Sequence, residues 1–309
     1  MSFYSKTFAQ FEMKNSDDYP RIKNGTTYVI MKDPEDANSA EYIDAIKKNW
    51  TISKKVEFIK SGDFEKYLKP ENSFLSFFAL ETITTSTNNT GFSKSSMTGC
   101  QISLCLWTSD LSYFKKKRNV FDGDRFRNIL VKVKLQTDME TYRICDKIFS
   151  YQFNGEGHIY NWSPGIAQNY IKEFKILLDK GEKVNPLKDY FDEVQLKNLK
   201  SGILYVPNYV LISRSIFNGK ETKQHEEKEI FEDYKYKYKI LTANDLNEKI
   251  LSDDNKFYYM FMNFDNTGKF IYITNAKTGE VIYSVQINNS INIKSNDLKQ
   301  LYKIINHKS

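Results

Sequence analysis

Apolar positions recur in two rhythms along the chain. Short runs of β-branched and aromatic residues, which suit strands, alternate with stretches whose apolar residues fall three and four apart, which suit helices. Tyr28-Val29, behind the turn signal Asn24-Gly25, reads as a buried first strand. Asp33-Pro34-Glu35-Asp36 then starts a helix with Ile43, Ile46 and Trp50 on one face. Val56 to Ile59 predicts a second strand, Asp63 the N-cap of a short helix carrying Phe64 and Leu68, and Phe74 to Thr84 a third strand. Strand, helix, strand, helix, strand is the order of an α/β layer with parallel pairings and right-handed crossovers.

Two strongly alternating runs follow, Gln101 to Thr108 and Ile129 to Leu135, joined through Lys115-Lys116-Lys117-Arg118; they extend the first sheet as a hairpin or meander. The clearest helix has Ser163 as N-cap, Pro164 at its first position, Ile166, Tyr170, Phe174 and Leu177 inside, and Gly181 as its stop. A further helix is expected from about Leu187 to Leu199. Phe270 to Thr274 and Val281 to Val285 form a hairpin turned at residues 275–279. Ser295 starts a last helix with Leu298, Leu301, Tyr302 and Ile305 on one face.

The chain also resembles itself. Residues 22–29 parallel 199–206 at an offset of 177, sharing Lys, Gly, Tyr and Val, and residues 57–64 parallel 239–246 at an offset of 182. The second offset continues to matching aromatic runs, Leu75 to Phe78 against Phe257 to Met260. The expected architecture is α/β, with α+β as the alternative: two related small domains from an internal duplication, each a mixed sheet with packed helices. The boundaries that follow are a flexible segment 1–19, a first repeat domain 20–150 with an extra hairpin, a helical bridge 151–198 and a second repeat domain 199–309.

Composition narrows the functional classes. Of 309 residues, 40% are hydrophobic and only 13 are Gly and 6 Pro, which excludes disordered and collagen-like chains. The longest apolar stretch, Phe74 to Ile83, is broken by Ser76, Glu81 and Thr82, so no transmembrane helix is expected. Lys and Arg number 45 against 39 Asp and Glu, a net +6 with the signs interspersed, which does not favour a nucleic-acid partner. Lys235-Tyr236-Lys237-Tyr238-Lys239 alternates cation and aromatic, and on a strand the two kinds face opposite ways; the pattern reads as an edge strand guarded by lysines. Cys100, Cys105 and Cys145 have neither metal-site nor redox-motif spacing and are read as buried small hydrophobes. Thr7-Phe8-Ala9 before Gln10 has the small residues of a signal-peptidase site without the apolar segment that should precede it, and this favours an extracytoplasmic location over a cytoplasmic one.

The densest group of reactive and backbone-permissive residues is Asn154-Gly155-Glu156-Gly157-His158, followed by Trp162 and the helix start at Ser163. Two glycines permit close backbone approach and a helix amino terminus favours an anion. Gly155, Gly157, His158, Trp162 and Ser163 are therefore the candidate ligand-binding residues, with Trp162 as aromatic anchor. The expected function is a non-enzymatic binding or assembly protein, its ligand a partner protein or a small anion held in an inter-domain cleft, with no cofactor and no metal. The alternative is a hydrolase or transferase using Glu156 and His158 as acid and base.

Overall fold

The computed structural model describes residues 11–14, 17–87, 94–116, 127–138, 159–181, 188–215, 220–252, 256–265 and 267–307. Two mixed sheets of six strands each, with packed helices, carry the structure. The first contains β1 (Phe11–Met13), β2 (Thr26–Met31), β3 (Lys55–Lys60), β4 (Ser73–Thr87), β5 (Lys94–Ser109) and β6 (Arg127–Leu135). Its order is β3-β2-β4-β5-β6-β1. The second contains β7 (Tyr190–Phe191), β8 (Leu204–Pro207), β11 (Tyr238–Leu241), β12 (Tyr258–Phe264), β13 (Gly268–Asn275) and β14 (Val281–Asn288), in the order β11-β8-β12-β13-β14-β7. The intervening β9 (Ile212–Arg214) and β10 (Glu221–Gln224) pair only with each other.

The two sheets share one plan. Counting the six strands of each in chain order, the spatial order is third, second, fourth, fifth, sixth, first in both. The second strand is parallel to its two neighbours and the next two pairings are antiparallel, again in both. Register agrees too. Tyr28 lies opposite Glu57 and Phe74, as Tyr205 lies opposite Lys239 and Tyr259. Phe74 faces Trp107, and Tyr259 faces Thr274. Each fifth–sixth pairing is interrupted once, between Leu106 and Trp107 and between Ile273 and Thr274, which are corresponding steps. The residue left over at each bulge, Leu130 or Ile282, is wholly buried.

These ladders retain the offsets of 177 at the second strand and 182 at the third. At the fourth strand the offset is 185, so the matching of Leu75–Phe78 with Phe257–Met260 is three residues out of register. The reason is the preceding connection, a 3₁₀ helix over Ser61–Tyr67 in one unit and a longer α-helix, Ala243–Leu251, in the other. Asp63 is consequently not an N-cap; it lies inside the 3₁₀ turn, bonded to Lys66. The helix expected over 187–199 is divided. Tyr190 and Phe191 are drawn into an edge pairing with Ser284 and Tyr283, after which Asp192 caps Glu193–Leu196 and a 3₁₀ turn, Lys197–Lys200, follows. In the lysine–tyrosine run, only Tyr238 and Lys239 belong to the edge strand β11.

The chain divides into two compact units, neither continuous in sequence: residues 17–44 with 53–160, and residues 161–309 with 1–16 and 45–52. In the first, Phe74, Cys105 and Trp107 form a buried cluster on which Phe64, Tyr67 and Leu68 of the 3₁₀ segment pack. Cys105 is buried and not in a disulfide; Cys100 lies in β5, and Cys145 falls outside the described residues. In the second, the helix Pro164–Lys180 has the expected Ser163 and Gly181 caps. Its burial is not confined to the one stripe, because Gln168 and Asn169 are buried as well. Gln168 donates to the Ile250 carbonyl at 3.2 Å and accepts from Asn49; Asn169 donates its amide to the Tyr259 hydroxyl at 2.9 Å, while its side-chain oxygen is buried without a partner among the described residues.

The largest difference between the two plans is a two-stranded arm. β4 and β5 pair as far as Thr87 and Lys94, whereas β6 covers β5 only from Ile102 onward. By register, Ala79 and Ile102 correspond to Phe264 and Lys269. The pairing of Leu80–Thr87 with Lys94–Gln101 therefore has no counterpart in the second unit, where β12 ends at Phe264 and β13 begins at Gly268. Replacing 80–101 by a copy of 265–268 is expected to preserve the circular dichroism spectrum and to shift the melting temperature by only a few degrees. Loss of cooperative unfolding would show that the arm belongs to the core.

Candidate functional site

Trp162 and Ser163 are built into the second unit. Trp162 is buried and its ring lies roughly parallel to that of Tyr170, centroids 6.4 Å apart. The first-turn donors of the following helix are already taken: Gly165 N–H by the Asn247 side chain at 2.8 Å, Ile166 N–H by Ser163 Oγ and Ala167 N–H by the Ser163 carbonyl. Gly165 is needed for this contact, since a Cβ there would come within 2.9 Å of the Ile250 Cβ. Gly155, Glu156, Gly157 and His158 lie outside the described residues. Lys115 and Lys116 end the short helix Leu111–Lys116.

A site emerges where the shared plan is filled differently in the two units. In the first, Asp18 accepts hydrogen bonds from Thr108 at 2.8 Å and from Asn128 at 2.5 Å, and pairs with Arg21 at 3.0 Å. The Arg21 guanidinium also donates to the carbonyls of Pro70 and Ser109. Gly25 lets this corner close, because a Cβ there would lie 2.0 Å from the Glu71 carbonyl oxygen.

Burial by itself would raise the Asp18 carboxyl's pKa; the bonds from Arg21, Thr108 and Asn128 outweigh it and hold the group below its ordinary value. A lowered carboxylate pKa contributes stability above the unfolded value of about 4, and the contribution is lost as pH falls through the folded value. Asp18→Asn is expected to cost about 1–3 kcal/mol at pH 7. The deficit should shrink in urea titrations at pH 3, and a deficit independent of pH would contradict the assignment.

The corresponding corner of the second unit keeps the network and loses the cation. Gln195, at the place of Asp18, accepts from Asn275 at 2.8 Å and donates to Glu280 at 2.7 Å; these two stand at the places of Thr108 and Asn128. Arg21 is replaced by Asn198, whose amide reaches only the Tyr258 hydroxyl, at 2.9 Å. At Gly202, the counterpart of Gly25, a Cβ would meet nothing but the Asn198 backbone. The space left is a solvent-open cavity of about 400 Å³. Its lining includes Asn198, Ser201, Ile203, Lys256, Phe257, Tyr258 and Lys277, of which Lys256 and Lys277 are exposed. Phe257 is buried, and the Lys249 ammonium lies over its ring at 4.9 Å.

None of these lining residues is a site candidate in the sequence: 199–206 and Phe257 to Met260 enter there as repeat segments and 275–279 as a hairpin turn. The signal was the internal repeat, but at an offset of 182 Glu71 falls on Asp253; only the ladder register of 185 places it at Lys256. Among the described residues no group of three or more His, Cys, Asp or Glu side chains is placed to hold a metal ion, and no helix is long and apolar enough to cross a membrane. Comparisons with protein-family models, with curated proteins and with solved structures find no match to this chain.

Proposed function

We propose that this chain is a non-catalytic binding protein whose second unit holds a small ligand in the cavity bounded by Asn198, Lys256, Tyr258 and Lys277. The observation that carries the reading is that one fold position is closed by Arg21 in the first unit and open in the second. The cavity is concave, is lined in part by aromatic residues and offers a few convergent polar groups, the features of a small-molecule site.

The test is a fragment screen by ¹⁵N chemical-shift mapping on the wild type and on two filled variants, Asn198→Trp and Ile203→Trp. Hits whose shifts cluster on residues 198–203, 256–258 and 275–277, and which vanish in both folded variants, support the proposal. Hits that persist unchanged in both would remove this cavity as the binding site.

A further inference from the structure

We infer that the ligand of this cavity is a small organic anion carrying a phosphate or carboxylate on an apolar body. This rests on the binding role proposed above and adds the chemical class. It follows from a reversal of charge between the two units at matched positions. Register carries Glu71 onto Lys256 through the fourth strand, and Asp110 onto Lys277 just beyond the fifth. In the first unit a cation, Arg21, sits in this corner and both corresponding positions are acidic. In the second the cation is gone, its place is empty space, and both positions are basic. The two acidic-to-basic changes favour negative charge and the change from Arg21 to Asn198 supplies the space. Glu280, at the place of Asn128, is the one change of opposite sign, and it accepts from Gln195 and is not among the lining residues.

The remaining lining agrees. Among the lining residues there is no carboxylate to oppose an anion. Asn198 has donated its amide to Tyr258, which leaves the Tyr258 O–H as a donor toward the cavity. Asn275 is committed to the turn, its side-chain oxygen accepting from the Lys277 and Thr278 N–H groups, so it fixes the segment that bears Lys277. Lys172 donates to the Lys277 carbonyl at 3.1 Å and braces the same turn. The volume exceeds that of a bare oxyanion, and Phe257 with Ile203 offers apolar surface to the rest of the molecule.

The probe is phenyl phosphate, compared with phenol and with inorganic phosphate, by calorimetry and ¹⁵N shift mapping on the full chain at two salt concentrations. Saturable binding of phenyl phosphate is expected, with shifts confined to the lining residues and weakening at higher salt. Lys256→Gln and Lys277→Gln should each weaken it by about tenfold or more. Lys237→Gln and Lys239→Gln, on and beside the edge strand, should leave it unchanged. Inorganic phosphate binding as tightly as phenyl phosphate would show that the apolar body adds nothing and overturn the organic part of the assignment. Phenol binding as tightly as phenyl phosphate, unaffected by the glutamine variants, would overturn the anion assignment while leaving the binding role in place. No shift at the lining residues with any of the three probes would overturn the anion assignment, and the fragment screen would then decide the binding role.

Discussion

Replacing Lys269 by isoleucine should lower the free energy of unfolding by about 3–5 kcal/mol, the cost of leaving a buried partner charge uncompensated. The Lys269 side chain is wholly buried and forms an ion pair with Asp297 while also donating to the Asn292 carbonyl. Asp297 in turn accepts from the Lys294 N–H at 2.8 Å and so closes the start of the last helix, Ser295–Asn306. Lys269 thus ties β13 to that helix. Its counterpart by register in the first unit is Ile102, which is also buried. Removing both charges leaves neither uncompensated, so Lys269→Ile combined with Asp297→Ile should recover most of the loss. Urea midpoints of the two single variants and the double would check this. A double variant as unstable as the sum of the singles would show that the ion pair contributes far more than its replacement by packing.

The second large effect is expected at Trp107. Its ring is wholly buried and stacks on Phe74 with centroids 4.5 Å apart. Its Nε1–H donates to Ser76 Oγ at 2.9 Å, and the Arg127 guanidinium lies 5.1 Å from the ring centroid. Trp107→Ala removes that packing and leaves the buried Ser76 hydroxyl without this donor, a combined loss of about 3–5 kcal/mol. Trp107→Phe keeps the stack and loses only the hydrogen bond, so it should cost about 1–3 kcal/mol. Far-UV circular dichroism through a denaturant titration reads both. Equal losses in the two variants would place the energy in the indole N–H and not in the ring contact. The position is specific to the first unit, because the same register site in the second holds Thr274.

What was legible from the chain alone is what depends on residues close together in sequence. Ser163, Pro164 and Gly181 delimit a helix wherever it packs, since they act on that helix's own unpaired N–H and C=O groups. The alternation of Gln101 to Thr108 and Ile129 to Leu135 identifies strands because their side chains have period two, although the structure buries Leu104 to Thr108 on both faces. The repeat was visible for the same reason: Gly25-x-x-Tyr28-Val29 and Gly202-x-x-Tyr205-Val206 preserve a glycine and a buried strand at fixed spacing. What only the tertiary structure decided depends on pairing across long separations. Tyr190 and Phe191 became strand because β14 offers them an open edge, a force absent from their own neighbourhood. The change of offset to 185 came from a longer helix, and the later offset from the extra pairing of Leu80–Thr87 with Lys94–Gln101, so neither Lys256 nor Lys277 could be matched to its acidic counterpart before the ladders were known. The cavity lies where Asn198 stands in place of the longer Arg21, and it is lined by the segments leading into β8 and β12 and by the end of β13, which meet only when the sheet is assembled.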